Sequence, residues 1–125
     1  MKFWLSIGAL SGFLAVAIGA FGAHGLGSRV PPEQLATFEI GARYHMYHAL
    51  ALLAVAWLAS REPTALVSTA GWAFIVGTIL FSGSLYYLGA TGSKALVLVT
   101  PMGGVAFMIG WICLLVAGLR LPSAG

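Results

Sequence analysis

Residues 44–87 read YHMYHALALLAVAWLASREPTALVSTAGWAFIVGTILFSGSLYY. Two apolar runs are joined there by Ser60-Arg61-Glu62-Pro63-Thr64, a tight turn carrying two charges and a proline. A helix rises about 1.5 Å per residue and a bilayer's hydrocarbon core is about 30 Å thick, so roughly 20 apolar residues suffice for one crossing. The runs on either side of the turn are that long, and the stretch reads as a transmembrane helical hairpin.

Working outward, the pattern repeats. The formal charges are Lys2, Arg29, Glu33, Glu39, Arg43, Arg61, Glu62, Lys94 and Arg120. The gaps between them predict helices over about 3–23, 33–59, 65–87 and 95–119. Pro31-Pro32-Glu33 marks the start of the second, and Pro101 either kinks the fourth or marks its first embedded turn. Connections this short predict an all-α membrane protein, four transmembrane helices in an up-down-up-down bundle. The 125 residues form a single domain, 1–125, 60% hydrophobic and 7% charged; a soluble domain is about 25% charged. The run from Lys2 to Ala23 imitates a signal peptide but is long enough to span, and its retention is expected.

The pI near 9.4 does not indicate nucleic acid, because the basic residues stand singly at loop ends and form no basic face. Positive charges are balanced across the membrane: Lys2, Arg61 and Arg120 on one side, Arg29, Arg43 and Lys94 on the other. Partial embedding of Arg43 would tilt the balance toward cytoplasmic termini. Small residues recur close to every 3.5 positions in the first and fourth helices. Gly8, Gly12, Gly19 and Gly22 make one seam, Gly103 and Gly110 with Cys113 the other, and both predict close packing against a neighbour in this chain or another. A homo-oligomer is the expected assembly.

Polar residues fall unevenly. Counted back from Ala59, His48 lies about 17 Å in, His45 about 21 Å and Arg43 about 24 Å. Ser82, Ser84 and Thr100 lie about 26–28 Å from the side that carries the termini, with His24 and Tyr86 just beyond 30 Å. The half opposite the termini therefore gathers all three histidines and most embedded hydroxyls. Embedded ionisable groups are costly and point to function by default. The expectation is one polar cleft on that side with His48 at its floor, lined by His24, His45, Tyr44, Ser82, Ser84, Tyr86 and Thr100. The bland reading is a neutral His48 that ties helices together through a backbone carbonyl or Thr78. Glu39 and Arg43, at i and i+4, are expected to form an interfacial ion pair. Tyr44, Tyr86 and Tyr87 at one face and Trp4 and Trp57 at the other read as aromatic belts.

The three histidines could supply part of a metal site, but no carboxylate or thiolate is placed to complete it, so neither metal nor cofactor is expected. Aspartate is absent, and no catalytic triad, paired embedded carboxylates, nucleotide loop or CxxC pair occurs; no enzyme is indicated.

Several motifs resemble those of the YgdD/YwdK family, small bacterial membrane proteins of unknown function. They are Gly19-Ala20-Phe21-Gly22-Ala23-His24, Tyr44-x-x-x-His48-Ala49-Leu50, Phe81-Ser82-Gly83-Ser84-Leu85-Tyr86, Thr100-Pro101-x-Gly103-Gly104 and Gly110-Trp111. The resemblance covers about residues 8–119 and implies four transmembrane helices in a bacterial inner membrane; it supplies no activity. His45 falls between its motif positions and ranks below His48. The functional expectation is a protein that binds or passes a small polar solute or ion through the cleft. The alternative is a structural or assembly subunit that packs on a larger membrane complex through its glycine seams. A quinone- or metal-binding redox accessory is the weaker alternative.

Overall fold

The computed structural model of the chain describes residues 1–122, and all regular structure among them is helical. Helix α1 (Lys2–Phe21) runs on into one π-helical turn, Gly22–Leu26. Helix α2 (Pro32–Arg61) starts on Pro32, whose missing N–H falls where a helix leaves its first N–H groups unpaired. Helix α3 (Ala65–Gly77) is capped by Thr64, whose hydroxyl accepts from the Val67 N–H at 3.3 Å. A second π turn, Thr78–Ser82, continues α3 into α4 (Gly83–Thr91). Gly92, at φ +73°, closes that rod with a left-handed residue that a side chain would disfavour. Helix α5 (Val99–Leu119) begins four residues later than expected. The reason is Pro101: a start at Val99 puts it in the first turn, where its lost donor costs nothing.

The helices alternate in direction, as the close approaches show. A Cβ on Gly8 would meet Leu52 and Leu53, one on Gly19 would meet Ala42, and one on Gly22 would meet Phe38, so α1 runs antiparallel to α2. Gly41 faces Tyr86 and Gly89 faces Gln34 and Phe38, which sets α4 antiparallel to α2. Gly77 lies on Phe107, Gly103 on Phe81 and Gly110 on Phe74, which does the same for α5 against α3. Both expected small-residue seams, Gly12 against Ala49 included, are thus filled from within the chain. In both, the missing side chains let the backbones approach.

Helix α2 is the central element, in contact with α1, α3 and α4. The apolar core gathers on its C-terminal half, where Ala51, Leu52, Val55 and Ala56 pack with Trp4, Val67, Ala70, Phe74 and Phe107. Trp4 wedges against Gly71 and Trp72. It is only 7% exposed, so it is a core residue, not part of an aromatic belt; Trp57 lies on the outer surface and stacks under Arg61.

Three segments are long and apolar enough to cross a membrane: Lys2–Leu26, Ala65–Thr91 and Val99–Leu119. Their outward faces carry exposed Leu10, Phe13, Val16, Ile79, Ile112 and Leu115, a continuous apolar exterior that suits lipid and not water. Helix α2 has 30 residues but falls outside that set, because Glu39, Arg43 and the Tyr44–His48 segment lower its hydropathy. Its two histidines are buried inside the bundle.

Candidate functional site

The site is built on α2. His45 and His48 stand three residues apart, about 60° around a helix of 3.6 residues per turn. Because α2 has neighbours on several sides, that angle is enough to send the two rings to different helices.

His48 turns toward α5. Its Nδ1–H donates to the Tyr44 carbonyl at 2.7 Å, and Trp111 Nε1–H donates to its Nε2 at 3.0 Å. A carbonyl only accepts and an indole N–H only donates, so the ring is held as the neutral Nδ1–H tautomer with both nitrogens satisfied. Its face lies on Phe107, ring centroids 3.5 Å apart and planes within 6°. His45 turns toward α1 and α4. Its Nδ1 is 2.8 Å from the Tyr86 hydroxyl and its Nε2 is 3.0 Å from the Ser11 hydroxyl. Tyr86 reaches it by lying on Gly41, where a side chain would crowd the phenol ring. A third link ties α4 to α5: Ser84 donates to the Phe81 carbonyl at 2.9 Å and receives the Thr100 hydroxyl.

Beside His45, between α1, α2 and the α3–α4 rod, lies a cavity of about 410 Å³. Ile7, Leu10, Leu14, Leu52, Ile75 and Ile79 make its wall, and Ser11, His45, Thr78 and Tyr86 are the polar residues on it. Thr78 Oγ1 is buried and has no hydrogen-bond partner. Gly83 also lines the cavity, and a Cβ there would meet no atom within 4 Å. Leu10, Leu14 and Ile79 are exposed on the outer surface and flank the mouth.

A family model described as "Protein of unknown function (DUF423)" matches residues 18–104. The chain belongs to this family. Three relatives match over at least 95% of each chain. The UPF0382 membrane protein YwdK of Bacillus subtilis is 48% identical over 121 residues, spanning 96% of this chain and 98% of that one. A UPF0382 membrane protein of Haemophilus influenzae is 43% identical, spanning 96% of each chain. The UPF0382 inner membrane protein YgdD of Escherichia coli is 38% identical over 124 residues, spanning 99% of this chain and 95% of that one. No solved structure matches. This DUF423 chain is accordingly a helical membrane protein.

In this DUF423 chain the residues expected to line one cleft are divided among separate places. His45 and Tyr86 meet at the cavity. His48 and Tyr44 border a different groove, shared with Tyr47, Phe81, Phe107 and Trp111. Ser84 and Thr100 bond to each other, and Ser82 is fully buried with no partner for its hydroxyl. His24 is exposed on the π turn that ends α1, outside both the cavity and the groove. The single cleft floored by His48 is therefore corrected to two sites on different flanks of α2. Glu39 and Arg43 are corrected as well. Both are exposed, and among the described residues no salt bridge closes within 4.0 Å. An exposed interfacial pair at this spacing, where water reaches it, gains only about 0.3–0.5 kcal/mol, too little to hold two long side chains together. No group of three or more His, Cys, Asp or Glu among the described residues is placed to hold a metal ion.

Sequence reading missed Ser11, Trp111 and Gly83 as site residues. Ser11 is a hydroxyl in an otherwise apolar part of α1, which is a signal of a kind. Trp111 stood in a family motif but had no assigned partner. Nothing in the sequence distinguishes Gly83 from the packing glycines, since only the empty space beside it sets it apart.

Proposed function

We propose that this protein crosses the inner membrane four times, termini on the cytoplasmic side, and binds a small bilayer-borne molecule in the cavity beside His45. The observation that carries this reading is the cavity itself, an aliphatic chamber with polar side chains on its wall. Its volume of about 410 Å³ falls in the range of roughly 300–1,000 Å³ occupied by small-molecule pockets, which are mostly apolar with a few placed polar groups. Ser11 and Thr78 stand about 14 Å and 20 Å along α1 and α3 from the starts of those helices, close to mid-bilayer. The mouth between Leu10, Leu14 and Ile79 then opens to lipid, and a ligand enters sideways from the bilayer.

The same wall favours binding over passage. An ion or strongly polar solute would lose its hydration against Ile7, Leu52 and Ile75 and find little to replace it. The polar-solute reading narrows accordingly to a largely apolar molecule with a hydrogen-bonding group. An assembly role through the glycine seams loses its surface, because the chain's own helices fill them. A homo-oligomer would be built through the outer aliphatic faces of α1 and α5.

The test is native mass spectrometry of the protein released from its own membranes, set beside Gly83→Leu, which projects into the chamber from a position where a Cβ meets no atom within 4 Å. Wild type is expected to retain a small molecule that the variant lacks. Identical spectra from two equally folded proteins would remove the binding role.

A further inference from the structure

The network around His45 contains one hydrogen more than it can place. Ser11 and Tyr86 each bring a hydroxyl hydrogen and the neutral imidazole brings one N–H, while the two links at Nδ1 and Nε2 use two. In one tautomer the surplus hydrogen sits on Tyr86, in the other on Ser11, and both residues line the cavity. Thr78 also lines the cavity, but its hydroxyl oxygen is closed off from it and is not a donor that a ligand there would reach. Buried donors without acceptors are rare in folded proteins and call for an explanation.

We infer that the cavity takes a neutral, bilayer-dissolved carbonyl compound, a quinone-type ring being the form that fits its size. The inference rests on the binding reading above and names the ligand class. A carbonyl oxygen accepts and brings no hydrogen of its own, so it can satisfy a surplus donor without creating another. A ligand hydroxyl would add a further hydrogen to a wall that already holds one unplaced. An anionic head is disfavoured because neither Lys nor Arg lines the cavity, and an unpaired charge at this depth is costly. The ring would occupy the chamber beside Gly83, and an apolar tail would leave between Leu10, Leu14 and Ile79 into lipid.

The experiment uses the full chain in nanodiscs of synthetic phosphatidylcholine and a decyl-benzoquinone carrying ¹³C-labelled carbonyls, followed by infrared difference spectroscopy and titration. Saturable uptake of one quinone per chain is expected, with the carbonyl band displaced to lower frequency. Tyr86→Phe should weaken binding about five- to tenfold, the loss expected from one hydrogen bond. Thr78→Val is the control, since it removes a buried hydroxyl that a ligand in the cavity does not reach, and it should leave binding unchanged and the unfolding temperature unchanged or raised. Gly83→Leu should abolish the saturable component. Uptake that rises linearly as in empty discs, or an unshifted carbonyl band, overturns the carbonyl assignment. If wild type still retains a native molecule that Gly83→Leu lacks, the ligand class alone is wrong. If it does not, the binding reading fails with it.

Discussion

His48 and His45 differ in what their nitrogens meet. Every polar atom of His48 is spent inside the protein, on the Tyr44 carbonyl and the Trp111 N–H, and its ring face is covered by Phe107. His48→Ala should therefore act on stability, by about 2–4 kcal/mol, through a packing void and an indole N–H left without its acceptor. Thermal unfolding in detergent is expected to show that loss while native mass spectrometry shows ligand retention unchanged. The opposite result, unchanged stability with lost ligand, would exchange the roles of the two histidines. Depth along α2 was legible from the sequence, and it marked both residues as buried and polar. Direction was not. A wheel groups positions three apart on one face, but α2 is surrounded by other helices, and 60° separates a partner on α5 from partners on α1 and α4. The ranking of His48 above His45 came from motif positions, which say nothing of which nitrogens remain free to act.

Among the elements, small residues do two opposite jobs. Gly103 has the backbone of Phe81 where its Cβ would stand, so Gly103→Ala must push α5 off the π turn. Gly83 has open space in the same direction. Gly103→Ala is expected to cost at least about 2 kcal/mol, at the level of overpacking a tight core. Gly83→Ala should be neutral or stabilising by up to about 1 kcal/mol, because alanine loses less freedom in a helix. Thermal unfolding of the two variants side by side measures the contrast, and equal losses would mean that α5 can shift freely against α3. The seams at Gly8, Gly12, Gly19 and Gly22 and at Gly103 and Gly110 were readable from spacing, though not whether their partner lay in this chain. The two π turns were not readable. Each needs one hydrogen bond of wider span inside a helix of ordinary composition, and Thr78–Ser82 carries no proline or glycine to announce it. It matters nonetheless, because such an insertion changes the helical phase of everything after it, Ser84 and Tyr86 included.

For the whole molecule, the open quantity is the number of crossings. Three segments qualify by apolarity alone, and α2 differs because it carries His45 and His48, buried against its own neighbours, and the exposed Glu39 and Arg43. Antiparallel packing of α2 on α1 and on α4 joins all four into one bundle. Single cysteines at Ser28 and Ser60, at the two ends of α2, in a Cys113→Ala background, should react with an impermeant maleimide from opposite sides, Ser60 only from the cytoplasm. Labelling of both from one side would reduce the crossings below four. Helix starts were legible because charge and proline mark the edges of apolar runs, whereas the first three helices end two to four residues beyond expectation, at Leu26, Arg61 and Thr91. The first three helices start within a residue of expectation, and α5 starts late for the reason Pro101 supplies.

The wedge of Trp4 against Gly71 and Trp72 has a consequence of its own. It joins α1 to α3 at the end that carries the termini, below the chamber, and leaves the flank as the way in. On the binding reading, exchange is then two-dimensional: occupancy follows the ligand's mole fraction among the lipids and is indifferent to the volume of water outside. Such a protein would report the composition of its own bilayer.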